Sequence, residues 1–199
     1  MTENRRILVT GSEGFIGRHV VKALLHHDLV LCDIHTKELT GPFDGIIHLA
    51  AVSRVRDAES DRIKCLETNI LLTARMLEWN PRWFIFASTC EPPTNVYGFS
   101  KRVAEDYIKM VCRNYVIFRL ANVYGPGMAE DKLIPSVRNG AEPHERVFPF
   151  EHIHVDTVAE MIRLAVGRFD APHFKPYTMK LATGVARTKA QLVNVATSY

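Results

Sequence analysis

The chain has 199 residues, 47% of them hydrophobic, so it can bury a sizeable core as one domain and is not disordered. Its net charge of +3 combines mixed signs without a Lys/Arg block, which argues against a nucleic-acid partner. No apolar run is long enough to span a membrane, and the first residues lead into a strand rather than a signal peptide. Four widely spaced cysteines without CxxC spacing predict reduced thiols, so we expect a cytoplasmic protein with no membrane partner.

A short apolar strand at 7–9 is followed by glycines at positions 11, 14 and 17 and by a helical pattern to about residue 25. Strand, glycine turn and helix are the context that a dinucleotide site requires. The glycines let the backbone approach a pyrophosphate, and the helix N-terminus supplies N–H groups and a favourable dipole. The spacing is GxxGxxG rather than GxGxxG, and a turn that only packs a helix on a sheet is the alternative.

A second buried strand, at 29–33, ends in Asp33. A carboxylate there can accept both hydroxyls of an adenosine ribose and would repel a 2′-phosphate, which favours NAD over NADP. A solvated aspartate at the end of a loop is the alternative. From Asp33 to Ile46 the chain has turn chemistry only, so we expect a shortened connection in place of a further strand–helix unit.

The next buried strand, at 46–51, contains His48, which we interpret as a hydrogen-bonded core histidine rather than a ligand. A long helical pattern then runs from about 58 to 79. Asn69 is a polar residue in its inner half. It is either a residue that holds a water or a backbone kink near the site, or an ordinary surface asparagine.

The strand at 83–89 ends in the hydroxyls of Ser88 and Thr89, and a helix is predicted from about 97 to 112. Tyr97 and Lys101 are four residues apart and therefore share one face of that helix. A phenol needs its pKa lowered by roughly 3 units to act as a base near neutrality, and a cation about 4 Å away can supply that shift. Lys101 can thus make Tyr97 a proton acceptor or donor, with Thr89 bonded to the same substrate oxygen.

The rest of the chain continues the alternation of strands and helices. His152 and His154 alternate on one strand and Asp156 follows, but without a third clustered ligand we predict no metal site. The predicted elements are a strand at 115–120, a glycine–proline loop at 121–127, a short helix at 134–139, a strand at 152–155, a helix at 157–166, a strand at 177–181 and a last helix at 189–196.

These motifs together resemble the extended branch of the short-chain dehydrogenase/reductase superfamily, the NAD-dependent sugar-nucleotide epimerases and dehydratases. The matching segments are residues 10–17 (phosphate loop), 48–51 (mid-domain signature), Thr89 with Tyr97 and Lys101 (hydroxyl, tyrosine and lysine), 119–127 (substrate-side loop) and 150–159 (the segment that follows it). The chain departs from that pattern in being much shorter, mainly in its C-terminal part.

The resemblance implies an α/β fold, a Rossmann-like doubly wound parallel sheet with helices on both faces. Residues 1–199 would form a single NAD(P)-binding domain, with a reduced substrate-binding part at about 120–199. The implied substrate contacts are Ser53, Thr89 and Asn122. The implied NAD contacts are Gly11, Glu13, Gly14, Phe15, Ile16, Gly17, Asp33, Ile34, Leu49, Ala50, Ala51, Ala87, Ser88, Tyr97, Lys101, Leu120, Asn122 and Val123.

The resemblance also implies the catalytic roles. Tyr97 would take the proton of a sugar hydroxyl while C4 of the nicotinamide takes the hydride, and Thr89 would orient the substrate oxygen. Lys101 would hold the nicotinamide ribose and lower the pKa of Tyr97. Glu91 would act on a proton next to the new ketone, although it could also be a plain loop carboxylate. Cys90 stands where 4,6-dehydratases carry an Asp, and a thiol is the poorer acid.

We therefore expect an NAD-dependent enzyme that acts on a nucleotide-linked sugar as an epimerase, dehydratase or 4-keto reductase. Two alternatives stay open: a non-catalytic NAD-binding regulatory protein, and a reductase of a small non-nucleotide carbonyl. The resemblance further implies a homodimer formed through the helices at about 58–79 and 97–112.

Overall fold

A computed structural model describes residues 4–36, 38–129, 150–184 and 186–187. Its strands are β1 Arg6–Thr10, β2 Asp28–Cys32, β3 Gly45–His48, β4 Trp83–Thr89, β5 Tyr115–Leu120, β6 Asn122–Tyr124, β7 Phe150–His154, β8 Tyr177–Leu181 and β9 Ala186–Arg187. Six of them form a parallel sheet in the order β2-β1-β3-β4-β5-β8, and the other three described strands form a small second sheet.

Helices cover both faces of the six-stranded sheet, as expected for a doubly wound α/β fold. The helices are α1 Phe15–Ala23, α2 Val55–Ser60, α3 Arg62–Leu66, α4 Leu72–Leu77, α5 Val96–Val111 and α6 Val155–Arg168, with a π-helical segment at Glu67–Leu71. α1 and α6 pack together on one face of the sheet, and α4 and α5 pack on the other.

The strands are apolar because both faces of the sheet are buried. Successive side chains point to opposite faces, so each strand contributes to two separate cores. The core under α1 and α6 takes Ile7, Val9, Ile47, Ile85, Val116 and Phe118, and the core under α4 and α5 takes Leu8, Ile46, Phe84, Phe86 and Ile117.

Most predicted elements are confirmed, including the strand at 83–89 and the tyrosine helix. The shortened connection is confirmed too, since the described residues between β2 and β3 form no further strand or helix. The prediction of one long helix at 58–79 is wrong. The helix is interrupted at Asp61, whose carboxylate accepts the N–H of Lys64 at 3.0 Å and so caps the next helix. That helix then continues into the π-helical segment.

Two further predictions concern the later part of the chain. The segment at 121–127 is not only a loop, because residues 122–124 form β6 beside β7. The helices predicted at 134–139 and 189–196 lie outside the described residues.

His48 is a fully buried core residue with both ring nitrogens hydrogen-bonded, which confirms its interpretation. Nδ1 lies 2.6 Å from the hydroxyl of Thr10 and Nε2 lies 3.0 Å from that of Thr73. Thr73 donates its own proton to the carbonyl of Asn69, so its oxygen accepts from Nε2–H. Thr10 then donates to Nδ1, which makes His48 neutral. Burial accordingly lowers the pKa of His48 to about 3.

This depressed pKa predicts a dependence of stability on pH. Between about pH 6.5 and pH 3 the His48 side chain is protonated in the unfolded chain but not in the folded one. Lower pH therefore favours the unfolded state, and the free energy of unfolding falls by about 1.4 kcal/mol per pH unit in this range. Urea denaturation between pH 7 and pH 4 measures this slope. We expect a shallower slope in His48→Gln than in the exposed-site control His35→Gln, and equal slopes would contradict the assignment.

Candidate functional site

The turn between β1 and α1 is built on close backbone contacts. Gly11 has a φ of 69°, in the left-handed region that favours glycine. A Cβ on Gly17 would lie 2.0 Å from the carbonyl oxygen of Gly11, so α1 can pack on the turn only with glycine there. Gly14 precedes α1, and no side chain in the described part of the chain caps that helix end. The first N–H groups of α1 are thus available to an anion.

Asp33 lies directly beside this turn, as the sequence predicts. Its Oδ2 accepts the backbone N–H of Glu13 at 2.9 Å, and its Oδ1 accepts that of Ile34 at 2.8 Å. The N–H of Gly11 in turn donates to the carbonyl of Cys32 at 2.8 Å. The end of β2 and the glycine turn therefore form one surface, on which the Ile34 side chain is exposed.

The mid-domain segment at 49–51 packs against the same turn. Leu49 donates its N–H to the carbonyl of Thr10 at 3.2 Å, and Ala50 donates to the Thr10 hydroxyl at the same distance. A Cβ on Gly11 would lie 2.8 Å from the nitrogen of Ala50. Glycine at position 11 therefore lets the turn lie directly against the backbone of this segment.

Tyr97 and Thr89 meet at the same edge of the sheet as the glycine turn. β1, β3 and β4 are parallel, so their carboxyl ends share one edge, and Thr89 is the last residue of β4. The Thr89 side chain lies close enough to the Tyr97 hydroxyl to lower its pKa, and the Thr89 oxygen accepts the N–H of Glu91 at 3.1 Å. The structure therefore brings the predicted proton carrier to the predicted cofactor edge.

Tyr97 and Lys101 are both buried, and burial shifts both of their pKa values. Burial raises the pKa of Tyr97, and the interaction with Thr89 offsets this only in part. Lys101 is 2% exposed, and its ammonium lies 4.1 Å from the centre of the Phe86 ring. Burial lowers the pKa of Lys101 to about 7. In the chain alone the pKa of Tyr97 is thus raised, and its lowering by Lys101 stays a prediction.

Glu91 occupies a position that suits both of its interpretations. Its carboxylate raises the pKa of Tyr97, and its Oε1 accepts the side-chain N–H of Asn95 at 2.8 Å. Asn95 is the N-cap of α5 and accepts the N–H of Gly98 at 2.8 Å. Glu91 thus orients the residue that begins the tyrosine helix. Cys90 donates its thiol to the carbonyl of Arg119 at 3.2 Å, and burial raises its pKa, so it is a poor acid here.

Several further predicted contacts lie on or near β4, β5 and β6. Ser53 and Asn122 are exposed, Ala87 lies within β4, Leu120 is the last residue of β5, and Val123 is the middle residue of β6. Ser88 is 3% exposed and donates its hydroxyl to Glu105 at 2.5 Å. Its hydroxyl is therefore engaged by α5, and its contact with NAD stays a prediction.

Asn69 is a positioning residue that the sequence indicated without deciding. It is 1% exposed, so the alternative of a surface asparagine is wrong. Its Oδ1 accepts the N–H of Val52 at 2.8 Å, and its Nδ2 donates to the carbonyl of Val52 at 3.1 Å and to the Ser100 hydroxyl at 2.9 Å. Ser100 donates to the carbonyl of Tyr97 at 2.8 Å. The π-helical segment that carries Asn69 thus joins the loop after β3 to the tyrosine helix.

His19, which the sequence analysis did not identify, connects α1 to the glycine–proline loop at 121–127. Nδ1 of His19 lies 2.7 Å from a carboxylate oxygen of Asp156, and Nε2 lies 3.0 Å from the carbonyl of Pro126. The two partners are distant in sequence, so only an alignment of homologues or a structure would have revealed the contact. It brings the loop after β5 next to the helix that follows the glycine turn.

None of the helices in the described ranges is long and apolar enough to cross a membrane. Within the same ranges, no group of three or more His, Cys, Asp or Glu side chains could hold a metal ion, and this includes the segment around His152.

Known proteins match this chain in sequence and in fold. A family model described as "NAD dependent epimerase/dehydratase family" matches residues 7–179. A "Putative UDP-glucose 4-epimerase" of Methanocaldococcus jannaschii is 30% identical over 60% of this chain and 56% of that protein. The dTDP-D-glucose 4,6-dehydratase of Homo sapiens is 27% identical over 66% and 55%, respectively. The chain therefore spans about half the length of these curated relatives.

A solved structure shares the fold over nearly the whole chain. "MoeE5 in complex with UDP-glucose and NAD" superimposes with a TM-score of 0.80, covers 97% of this chain and 81% of that one, and is 22% identical. At that identity the similarity supports the architecture alone. It confirms the Rossmann-like fold that the sequence predicted.

The Asn69 contacts predict a large effect on stability. Asn69→Ala leaves the partly buried N–H and carbonyl of Val52 and the buried Ser100 hydroxyl without their partner, at a cost of about 3 kcal/mol in the free energy of unfolding. Asn114, which is exposed and donates to the carbonyl of Arg82, is the matched control, and we expect Asn114→Ala to cost less than about 1 kcal/mol. Urea denaturation compares the two, and equal losses would contradict the role of Asn69.

Proposed function

This chain belongs to the NAD dependent epimerase/dehydratase family, and we propose that it is an NAD-dependent enzyme acting on a nucleotide-linked sugar. The observation that carries the proposal is the placement of Tyr97 beside Thr89, which ends β4 at the sheet edge that also holds the glycine turn. A proton carrier and a dinucleotide-type turn on one edge are what sugar oxidation requires.

The residues of the turn fit NAD. The uncapped N-terminus of α1 and the close backbone approach at Gly11 suit a pyrophosphate, and Asp33 beside the turn suits a ribose without a 2′-phosphate. Leu49, Ala50 and Ala51 would line the path along the edge. When bound, NAD supplies the hydride acceptor of the reaction.

Tyr97 would accept the proton of the sugar hydroxyl, with the Thr89 hydroxyl holding the same oxygen. Since burial raises the pKa of Tyr97 in the chain alone, the proposal requires a lower pKa in the loaded site. Lys101, Ser53 and Asn122 would contact cofactor or substrate. Glu91, close enough to Tyr97 to raise its pKa, would act on the carbon next to the ketone.

The outcome that Cys90 favours is epimerisation or reduction rather than 4,6-dehydration. Dehydration needs an acid beside the leaving hydroxyl, whereas the Cys90 thiol donates to a backbone carbonyl and has a raised pKa. UDP sugars are the first substrates to test, because the M. jannaschii relative is named for UDP-glucose.

Calorimetric titration with NAD and NADP, followed by incubation with UDP-, GDP- and dTDP-sugars and product analysis by mass spectrometry and NMR, tests the function. We expect preferential NAD binding and conversion of a nucleotide sugar. NAD binding without turnover of any sugar or carbonyl would favour a regulatory NAD-binding protein. Turnover restricted to small carbonyls would favour the reductase alternative.

Tyr97→Phe should reduce turnover by at least about a hundredfold, because it removes the hydroxyl that carries the proton. The affinity for NAD should stay within about twofold. Tyr107→Phe changes a partly buried tyrosine of the same helix and is the control, with activity near that of the unchanged chain. Comparable losses of activity and NAD affinity in Tyr97→Phe would make Tyr97 a structural residue.

Asp33→Asn and Asp33→Ala should weaken NAD binding by about tenfold. Both should also reduce the difference between the affinities for NAD and NADP, because both remove the charge that repels a 2′-phosphate. Asp33→Asn keeps an acceptor for the N–H of Glu13 or Ile34, so it separates the charge from the loop contacts. Asp28→Asn, at the exposed start of β2, is the control. An unchanged cofactor preference would refute the ribose role, and calorimetry measures it.

We also propose a homodimer formed through the segments at 58–79 and 97–112. Ile63, Leu71, Phe99 and Met110 on these segments are 66%, 51%, 50% and 74% exposed, and such apolar side chains suit a contact between copies. Sedimentation velocity should show a dimer that Phe99→Glu combined with Met110→Glu dissociates. Met179→Glu, on β8, should leave it intact, and a monomeric unchanged chain would contradict the proposal.

A further inference from the structure

A buried carboxylate on the tyrosine helix has no role in the chemistry described so far. Glu105 has a fully buried side chain, and it lies four residues after Lys101. At that spacing the two side chains share one face of α5, one turn apart. Lys101 is buried as well, so a negative and a positive charge are enclosed next to each other beneath the proposed site.

Glu105 is held ionised by its hydrogen bonds. Arg119 of β5 donates hydrogen bonds to both carboxylate oxygens, with Nη2 2.6 Å from Oε2 and Nε 3.0 Å from Oε1. Ser88 donates to Oε1 at 2.5 Å, and Arg102 and Lys109 lie 3.4 and 3.6 Å from Oε2. Together they lower the pKa of Glu105 even though burial alone would raise it. The charge is therefore permanent at neutral pH.

The same contacts join β4 and α5, the two elements that carry Thr89, Tyr97 and Lys101, and they connect both to β5 through Arg119. Ser88 immediately precedes Thr89 at the end of β4, and Glu105 follows Tyr97 and Lys101 on α5. An ion pair with two parallel hydrogen bonds has a defined geometry, so the carboxylate sets how the helix sits on the strand.

Glu105 also opposes the loss of charge on Lys101. Burial lowers the Lys101 pKa to about 7, and the opposing effects come from Glu105 on its own helix and from the Cys65 thiol of α3. On β3, His48 interacts with Lys101 but is neutral. In the part of the chain that the structure describes, the Lys101 ammonium contacts an aromatic ring and no carboxylate, so its charge depends on the field of Glu105 at a distance.

We propose that Glu105 is a positioning residue of the site: its buried carboxylate keeps Lys101 charged and holds the helix of Tyr97 and Lys101 against the strand of Thr89. This role rests on the proposed function, in which Lys101 serves as a cation. A Glu105 that only stabilises the packing of α5 on β4 would be equally buried and hydrogen-bonded. It would differ from the proposed Glu105 in one respect: its removal would leave the titration of Lys101 unchanged.

The test is the NMR titration of Lys101 in the chain without cofactor. Lysine labelled with 13C at Cε reports the protonation of each amine, and Lys101→Arg assigns the signal. In Glu105→Gln the removal of the negative charge should move the Lys101 midpoint down by about one pH unit. Glu160→Gln removes an exposed carboxylate that pairs with Arg163 on α6, and the midpoint should then be unchanged.

Glu105→Asp distinguishes charge from bracing. It retains the carboxylate but shortens its reach to Ser88 and Arg119, so we expect lower stability with a Lys101 midpoint near that of the unchanged chain. If Glu105→Gln is unstable, the titration is run in concentrated sucrose, which favours the folded state. A midpoint that stays in place in folded Glu105→Gln, or that falls as far in Glu105→Asp, overturns the proposal.

The outcome for Glu105 is separate from that for the function. A shifted midpoint in a chain that never turns over a sugar would leave the Glu105–Lys101 coupling standing and remove only the enzymatic proposal. In an active enzyme, Glu105→Gln should also move the alkaline limb of the activity profile to lower pH, because Lys101 loses its proton earlier. Activity without any shift in either titration would leave Glu105 a brace.

Discussion

A continuous run of buried hydrogen bonds connects the glycine turn with the tyrosine helix. Thr10, the last residue of β1, bonds to His48, which bonds through a threonine of α4 to the backbone of Asn69. The Asn69 side chain continues to Ser100, whose hydroxyl donates to the carbonyl of Tyr97. An unpaired buried polar group costs about 1–3 kcal/mol, so this run resists displacement of the helix relative to the turn. The relative placement of the two halves of the site follows from it.

The tyrosine helix also shows how burial acts on two charges one turn apart. For Lys101 desolvation dominates, because the contact that the structure shows for its ammonium is the face of Phe86. For Glu105 the hydrogen bonds dominate, because Arg119 and Ser88 replace the water that its carboxylate loses. Burial of similar extent therefore favours the neutral form of Lys101, whereas Glu105 stays in its charged form. The two residues differ in the number of hydrogen bonds that each charge receives.

The elements that sequence reasoning predicted best are those whose burial is uniform. β4 and β5 are enclosed by helices on both faces, so they appear as continuous apolar runs bounded by turns. The segment at 58–79 was predicted as one helix because its apolar spacing continues through the interruption at Asp61. It also continues through a π-helical segment, which adds a residue to one turn. β6 escaped notice because it has three residues and pairs with β7, which is distant along the chain.

The amino-acid sequence by itself determined the order of strands and helices, the glycine turn, the acid after β2, and the pairing of Tyr97 with Thr89. Each of these depends on local spacing or on the rule that parallel strands end at one edge of a sheet. Only the tertiary structure decided that Ser88 donates to Glu105, that Asn69 is buried, and that the Lys101 ammonium lies over the Phe86 ring. Those outcomes depend on which buried partner each polar group finds, and such partners come from elements far apart in the sequence.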